Sequence, residues 1–249
     1  VLARANWKGS GDKSVEEKWF KIREELSPTE FLGYEFDKAE GVIIKISKNG
    51  KFVDTASTGD KIEVITNQTP FYGESGGQIG DDGIILTETG AKIKIETAQK
   101  PVDQFIVCHG YVVEGAFNVG DQVWAGYETN TRQKVRAHHS ATHLLHASLR
   151  KVLGDHVKQA GSLVQAQRLR FDYSHFEALT DENIRIIEND SNDRVLAASE
   201  IVTEVLPFDE AKEKGAIALF GEKYPDIVRV VSIIDKNRKS ETNFKSIEL

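Results

Sequence analysis

The feature that most constrains the fold is a change of hydrophobic period near Glu128. From about Thr29 to Tyr127 apolar and polar side chains alternate in "GVIIKIS", "KIEVIT", "GIILTE", "AKIKIE", "QFIVCHGYVV" and "DQVWAGY". A period of two places every second side chain on one face, which is the pattern of a half-buried strand. The runs are short and separated by turn signals such as Asn49-Gly50, so this stretch is expected to form a small antiparallel β-barrel. "STGDKIEV" and "NVGDQVWA" both set Gly-Asp before an alternating strand; two copies indicate barrel turn chemistry, not a repeat architecture.

Beyond Glu128 the pattern is mixed. The spacing predicts a long helix over Val135 to Leu153, stopped by Gly154, and a second from Thr180 to about Ala198. Thr180 suits an N-cap, and Asp181 and Glu182 complement the helix dipole; Asn183 stands where a capping box would need Glu or Gln. "GSLV", "RLRFDYS", "EIVTEVL", "DIVRVVSI" and "FKSIEL" read as strands. Helices beside antiparallel strands make this half α+β, so the whole chain is expected to be α+β. Ahead of the barrel, Val15, Trp19, Ile22 and Leu26 have helical spacing, which predicts a connector helix. The expected organisation is residues 1–28 as connector, 29–128 as barrel and 129–249 as an α+β core.

With 249 residues, one small core is too little. No run approaches the ~20 apolar residues of a membrane span, and the first residues lack the apolar run of a signal peptide. The chain reads as cytoplasmic, with no membrane partner, and the single Cys108 excludes an internal disulfide framework. It opens on Val and contains no Met, where roughly five would be usual, so it is expected to be a piece of a longer protein. The net charge of −7 argues against a protein coated with nucleic acid. Its distribution is uneven. Between Asn130 and Arg170 eight basic residues stand against Asp155 alone, so an anionic partner fits there, as does a solvated basic helix face.

The densest chemistry is "HHSATHLLH", residues 138–146. At 100° per residue His139, Thr142, His143 and His146 share one helical face, Leu145, Ser148, Leu149 and Val152 lie away from it, and His138 points elsewhere. This leaves the histidine face toward a cleft or solvent. His139 and His143, four apart, have the spacing at which two imidazoles ligate one tetrahedral zinc. No Glu lies between them, which removes the metalloprotease His-Glu-x-x-His reading. By spacing alone, zinc and an uncomplexed histidine cluster remain equal. Cys108, inside a predicted barrel strand, reads as a core residue rather than a third ligand.

"TPFYGESGGQIGD" (69–81), "HHSATHLLHASLRKVLGDHVKQAGSLV" (138–164), "RLRFDYSH" (168–175) and "KGAIALFGEKYPDIVRVVSI" (214–233) together resemble the editing region of alanyl-tRNA synthetases. The resemblance runs from about Ala3 to Leu249, and the opening "ARANWKGSGD" resembles the bacterial lead-in to that region. It implies hydrolysis of tRNA(Ala) mischarged with serine or glycine at a site holding one zinc ion, with the acceptor end of tRNA(Ala), the serine and glycine moieties and the rest of the synthetase as partners. The family's zinc is held by His-x3-His and a later Cys-x3-His; His139 and His143 match the first pair, and the chain stops at "SIEL", where the family continues into the second.

The resemblance also assigns roles. Thr142 can sense the amino-acid side chain or only bond back to its helix, and Gln159 can hydrogen-bond substrate or water, or only cap the helix end. Arg136, Lys158 and Arg170 are the first candidates for the tRNA track, ahead of Lys223 and Arg229. His146 is expected as a wall residue. "ESGGQIGD" has no Lys-Ser/Thr after it and so is no phosphate loop. Gly76 and Gly77 are expected to permit close backbone approach, with Gln78 and Asp81 near the cleft, or to make an ordinary turn. The alternatives are a free-standing trans-editing hydrolase and a non-catalytic tRNA-binding module.

Overall fold

The computed structural model describes Trp19, Ile22, residues 25–102, 104–217 and 224–234, and the backbone of 244–248. Most of the expected connector helix lies outside the described residues; Trp19, Ile22 and Glu25 are helical. Trp19 and Ile22 are buried against Ile65, Val102, Phe105 and Val107. The chain divides into two compact units, Val1–Arg132 and Gln133–Leu249.

The first unit contains β1 (Glu30–Phe31), β2 (Lys38–Lys48), β3 (Lys51–Val53), β4 (Thr55–Ser57), β5 (Lys61–Thr66), β6 (Gln68–Thr69), β7 (Gly83–Leu86), β8 (Lys92–Val102), β9 (Phe105–Glu114), β10 (Ala116–Asn118) and β11 (Gln122–Tyr127). Six of them run β11-β7-β8-β9-β5-β2, and β2 pairs back onto β11, which closes an antiparallel barrel. Closure removes the unpaired edges of an open sheet. The inward faces make a core that includes Ile43, Ile46, Phe71, Ile85, Ile93, Ile95 and Phe117.

The turn signals work as their chemistry predicts. Asn49 and Gly50 both have positive φ, 52° and 76°, and join β2 to β3 with Lys48 opposite Lys51, the two-residue hairpin that Asn-Gly favours. In the two Gly-Asp turns, Asp60 accepts from the Ser57 N–H at 3.0 Å and Asp121 from the Asn118 N–H at 2.7 Å. The preceding strands β4 and β10 pair with each other.

The second unit begins within α1 (Thr129–Leu153) and continues through β12 (Gln159–Val164), β13 (Leu169–Tyr173), α2 (Asp181–Leu196), β14 (Glu200–Pro207), α3 (Phe208–Glu213), β15 (Ile227–Ile234) and β16 (Phe244–Glu248). β12 and β13 form a hairpin, and β14-β15-β16 form an antiparallel sheet. Thr180 caps α2 by accepting from the Asn183 N–H at 3.2 Å. Leu149 packs with Val157 and Ile187, while Leu144 packs with Ile233. Inside this unit Ser148 donates to Asp190 at 2.8 Å, and Lys151 and Arg194 pair with the same carboxylate, so α1 is tied to α2 by charge as well as by apolar contact.

α1 starts six residues before the expected Val135. Apolar spacing misses this first turn because its buried side chain is Arg132, not a hydrophobe.

Candidate functional site

The histidine motif lies on α1, and the structure brings its expected face together. The rings of His139 and His143 are 5.0 Å apart between centroids, at an interplanar angle of 41°. His146 sits one turn on, its ring 5.1 Å from that of Phe171 on β13. His138 turns away and places Nδ1 2.6 Å from the Gln165 carbonyl oxygen. The four side chains of the shared face are covered to different degrees: His139 and His143 are half-buried, Thr142 and His146 are only 5% and 4% exposed, and Nε2 of both His143 and His146 is enclosed. Within its unit α1 packs Leu144 on Ile233, Leu149 on Val157 and Ile187, and His146 on Phe171 of β13.

This burial sets the chemistry of His146. Loss of hydration disfavours its cation and holds its pKa down at about 4; the hydrogen bond with the Val157 main chain opposes this, while Arg150 and His143 add to it. At neutral pH His146 is therefore an uncharged imidazole one helical turn beyond the pair. Thr142 donates its hydroxyl to the His138 carbonyl at 2.8 Å, the back-bond within its own helix. The hydroxyl oxygen retains acceptor capacity and the methyl group remains a steric element, so the back-bond fixes the rotamer without exhausting the side chain.

The imidazoles of His139 and His143 are fitting donors for zinc: two nitrogen ligands on adjacent turns, with an enclosed Nε2 on one. Among the described residues, no group of three or more His, Cys, Asp or Glu side chains is placed to hold a metal ion. Cys108 is buried in the barrel core, and its thiol is pushed far up by burial and then by the Asp81 carboxylate, which makes it an inert core residue.

Gln159 opens β12, half-buried, opposite Tyr173 at an irregularity in the hairpin. Arg136, Lys158 and Arg170 are exposed; Arg170 pairs with Asp172 at 3.1 Å. The basic segment is less available than its sequence suggests. Arg132 is buried on Asp81, Arg150 pairs with Asp155 at 2.8 Å, and Lys151 is held by Asp190. Among the described residues Lys134, Arg136 and Arg168 remain exposed without an ion pair. Arg229 donates to Thr203 at 3.4 Å, and Lys223 lies outside the described residues.

Gln78 and Asp81 follow the Gly76-Gly77 pair in the chain. Both are buried in the first unit, where Asp81 accepts from the Tyr72 N–H at 2.8 Å and receives the Arg132 guanidinium. Gly76 and Gly77 have φ of 57° and 85°, and a Cβ on Gly76 would meet nothing within 4 Å, so Gly76 serves the turn rather than close approach. The close approach falls on Gly80. Sequence reasoning also missed the stack of Phe176 on His156, with ring centroids 4.6 Å apart, and the 2.9 Å contact of His156 Nε2 with His175 Nδ1. Their separation along the chain gave no periodic signal.

Residues 2–131 match the family model of class II (A) tRNA synthetases, and the chain belongs to that family. The helix lies largely beyond those residues but within the stretch that this chain shares with its relatives. The chain is 49% identical over 231 residues to the alanine–tRNA ligase of Rhizobium johnstonii, covering 93% of this chain and 26% of that protein. It is 47% identical over 249 residues to that of Rhizorhabdus wittichii, covering all of this chain and 28% of the relative. With that of Chelativorans sp. the identity is 46% over 247 residues. The chain thus spans little more than a quarter of the relatives it matches. Among the described residues, no helix is long and apolar enough to cross a membrane.

Proposed function

We propose that the chain carries the editing site of an alanine–tRNA ligase and cleaves the ester of Ser-tRNA(Ala) and Gly-tRNA(Ala). The observation that carries this reading is the side-by-side pair His139 and His143, with Thr142 buried between them. Water adds across the ester: its oxygen joins the aminoacyl carbonyl carbon, the ester C–O bond breaks, and the ribose oxygen leaves with a proton. The products are free amino acid and tRNA(Ala) with an intact 3′ end. His139 and His143 would supply two ligands to a zinc ion, which when bound orients the amino acid or lowers the pKa of water.

The chain's own residues do the rest. Thr142 meets the amino-acid side chain by hydroxyl contact or bulk. Serine is larger than alanine and glycine smaller, so size alone cannot admit both and exclude alanine; contacts to the serine hydroxyl and the ammonium group are needed, and glycine enters because it is small. Neutral His146 supports the wall, Gln159 offers an amide to substrate or water, and Arg136, Lys158 and Arg170 attract the acceptor-end phosphates. The cytoplasm, where tRNA is charged, is the corresponding location.

The exposed cations Lys134, Arg136 and Arg168 also suit one competing reading, a module that positions tRNA without hydrolysis. Ser-tRNA(Ala) deacylation and zinc content, measured on the full-length protein and on its His143→Ala variant, separate the two. The editing reading expects zinc in the parent and at least a hundredfold loss of deacylation in the variant. A parent that holds no zinc and leaves the ester intact sinks it.

A further inference from the structure

On the outside of the barrel, far in chemistry from the histidine helix, lies a pocket of about 210 Å³ whose lining includes Trp124, Glu40, Glu88, Gln68, Asn67 and Gln122. The strand pattern explains how these side chains meet. Val123 and Ala125 face the barrel core, so Gln122 and Trp124 of β11 face outward. Glu40 on β2 is the register partner of Trp124, which places the carboxylate and the indole on one face as direct cross-strand neighbours. Glu88 follows β7, whose Leu86 is the partner of Trp124 on its other side.

The walls are fixed by hydrogen bonds. Asn67 accepts from the Val42 N–H at 2.7 Å, and Gln68 donates its amide to the Glu40 carbonyl at 2.8 Å. Trp124 remains 46% exposed, a large area for an indole left in water. Among the described residues neither Glu40 nor Glu88 has an ion-pair partner.

We propose that this pocket binds the guanidinium group of an arginine side chain presented by another polypeptide segment. The inference is independent of the hydrolytic reading. Two carboxylates and the negative face of an indole call for a cation, and the planar guanidinium can stack on the ring while its N–H fork meets the carboxylates. The volume is below the roughly 300 Å³ at which drug-sized ligands begin, which suits one side-chain head group. The same negative charge repels a phosphate backbone, so RNA is not the occupant.

The test is a titration of the 249-residue chain with N-acetyl-arginine amide, followed through the tryptophan indole N–H resonances, with Trp124 assigned from a Trp124→Phe variant. A saturable shift of the Trp124 resonance is expected, with no such shift from neutral N-acetyl-glutamine amide. In a Glu40→Gln/Glu88→Gln variant, whose unchanged remaining spectrum reports an intact fold, the affinity is expected to fall at least tenfold. Equal shifts from the neutral amide, undiminished binding by the double variant, or a response to a short single-stranded RNA in place of arginine would each overturn the proposal.

Discussion

Arg132 donates from Nε to both carboxylate oxygens of Asp81, at 2.8 and 3.0 Å, although the two residues are 51 positions apart. The same guanidinium reaches the carbonyls of Gly33 and Pro70 at 3.0 and 3.1 Å and lies 4.0 Å from the centroid of the Tyr127 ring. A buried charge left alone by removal of its partner costs about 3–5 kcal/mol, whereas replacing both partners by apolar groups is often nearly neutral. Asp81→Ala is therefore expected to lower the urea midpoint of the chain markedly. Asp81→Leu/Arg132→Met should recover part of that loss. Equal destabilisation by the single and double variants would show that the pair does not act as a unit.

That pair also shows where sequence reasoning stops. The barrel strands were legible because burial on one face writes a period of two, and Asn49-Gly50 was legible because a tight hairpin needs positive φ at both residues. The face shared by His139, Thr142, His143 and His146 followed from helical geometry. Arg132 was only one of eight charges counted in the basic segment, because a charge count cannot see a carboxylate 51 residues away. The burial of Thr142 and His146 was not legible for a related reason. A helical wheel assigns residues to faces, but what covers a face is a long-range fact, here the Phe171 ring against His146.

Buried His146 makes stability depend on pH in a defined window. Its folded-state pKa is about 4, against 6.5 for the unperturbed group, so between these values the unfolded chain binds a proton that the folded chain does not. The stabilisation is fully present above pH 6.5 and is lost as the pH falls from 6.5 to about 4, amounting to roughly 2–3 kcal/mol across the window. Asp190 acts lower. Burial raises its pKa, but hydrogen bonds from Lys151, Arg194 and Ser148 outweigh this and hold it at about 2, so its contribution declines only as the pH falls below the ordinary aspartate value of 3.8. Urea titrations from pH 4 to 7.5 on the parent and His146→Gln should show a slope that the variant lacks; parallel curves would remove His146 as its source.

Gly80 and Gly76 belong to one glycine-rich stretch but should respond oppositely to alanine. A Cβ on Gly80 would lie 1.8 Å from the Ala98 carbonyl oxygen and 2.9 Å from the Ala98 nitrogen, both backbone atoms inside β8. That overlap is relieved only by moving a barrel strand, so Gly80→Ala is expected to cost on the order of 3 kcal/mol or more. At Gly76 the space is open and only the left-handed conformation, with φ of 57°, resists a side chain, at about 1–2 kcal/mol. Thermal unfolding of the two variants checks the order, and a milder effect at Gly80 would refute the close-approach argument.

Thr142 offers the sharpest separation of a structural role from a pocket role. Its hydroxyl bonds back to the His138 carbonyl, a helical back-bond whose removal leaves no buried donor orphaned when valine replaces threonine with nearly the same shape. Thr142→Val in the full-length protein is therefore expected to change stability by less than about 1 kcal/mol. If Thr142 reads the amino acid, the lost hydroxyl should nevertheless lower discrimination of Ser-tRNA(Ala) from correctly charged Ala-tRNA(Ala), by about tenfold or more, because a polar contact available only to serine disappears. The measurement is the ratio of kcat/KM for the two charged tRNAs, taken beside a melting curve of the same variant. An unchanged ratio with an unchanged melt assigns Thr142 to the helix alone, and the residue that distinguishes serine must then lie on another element facing His139 and His143.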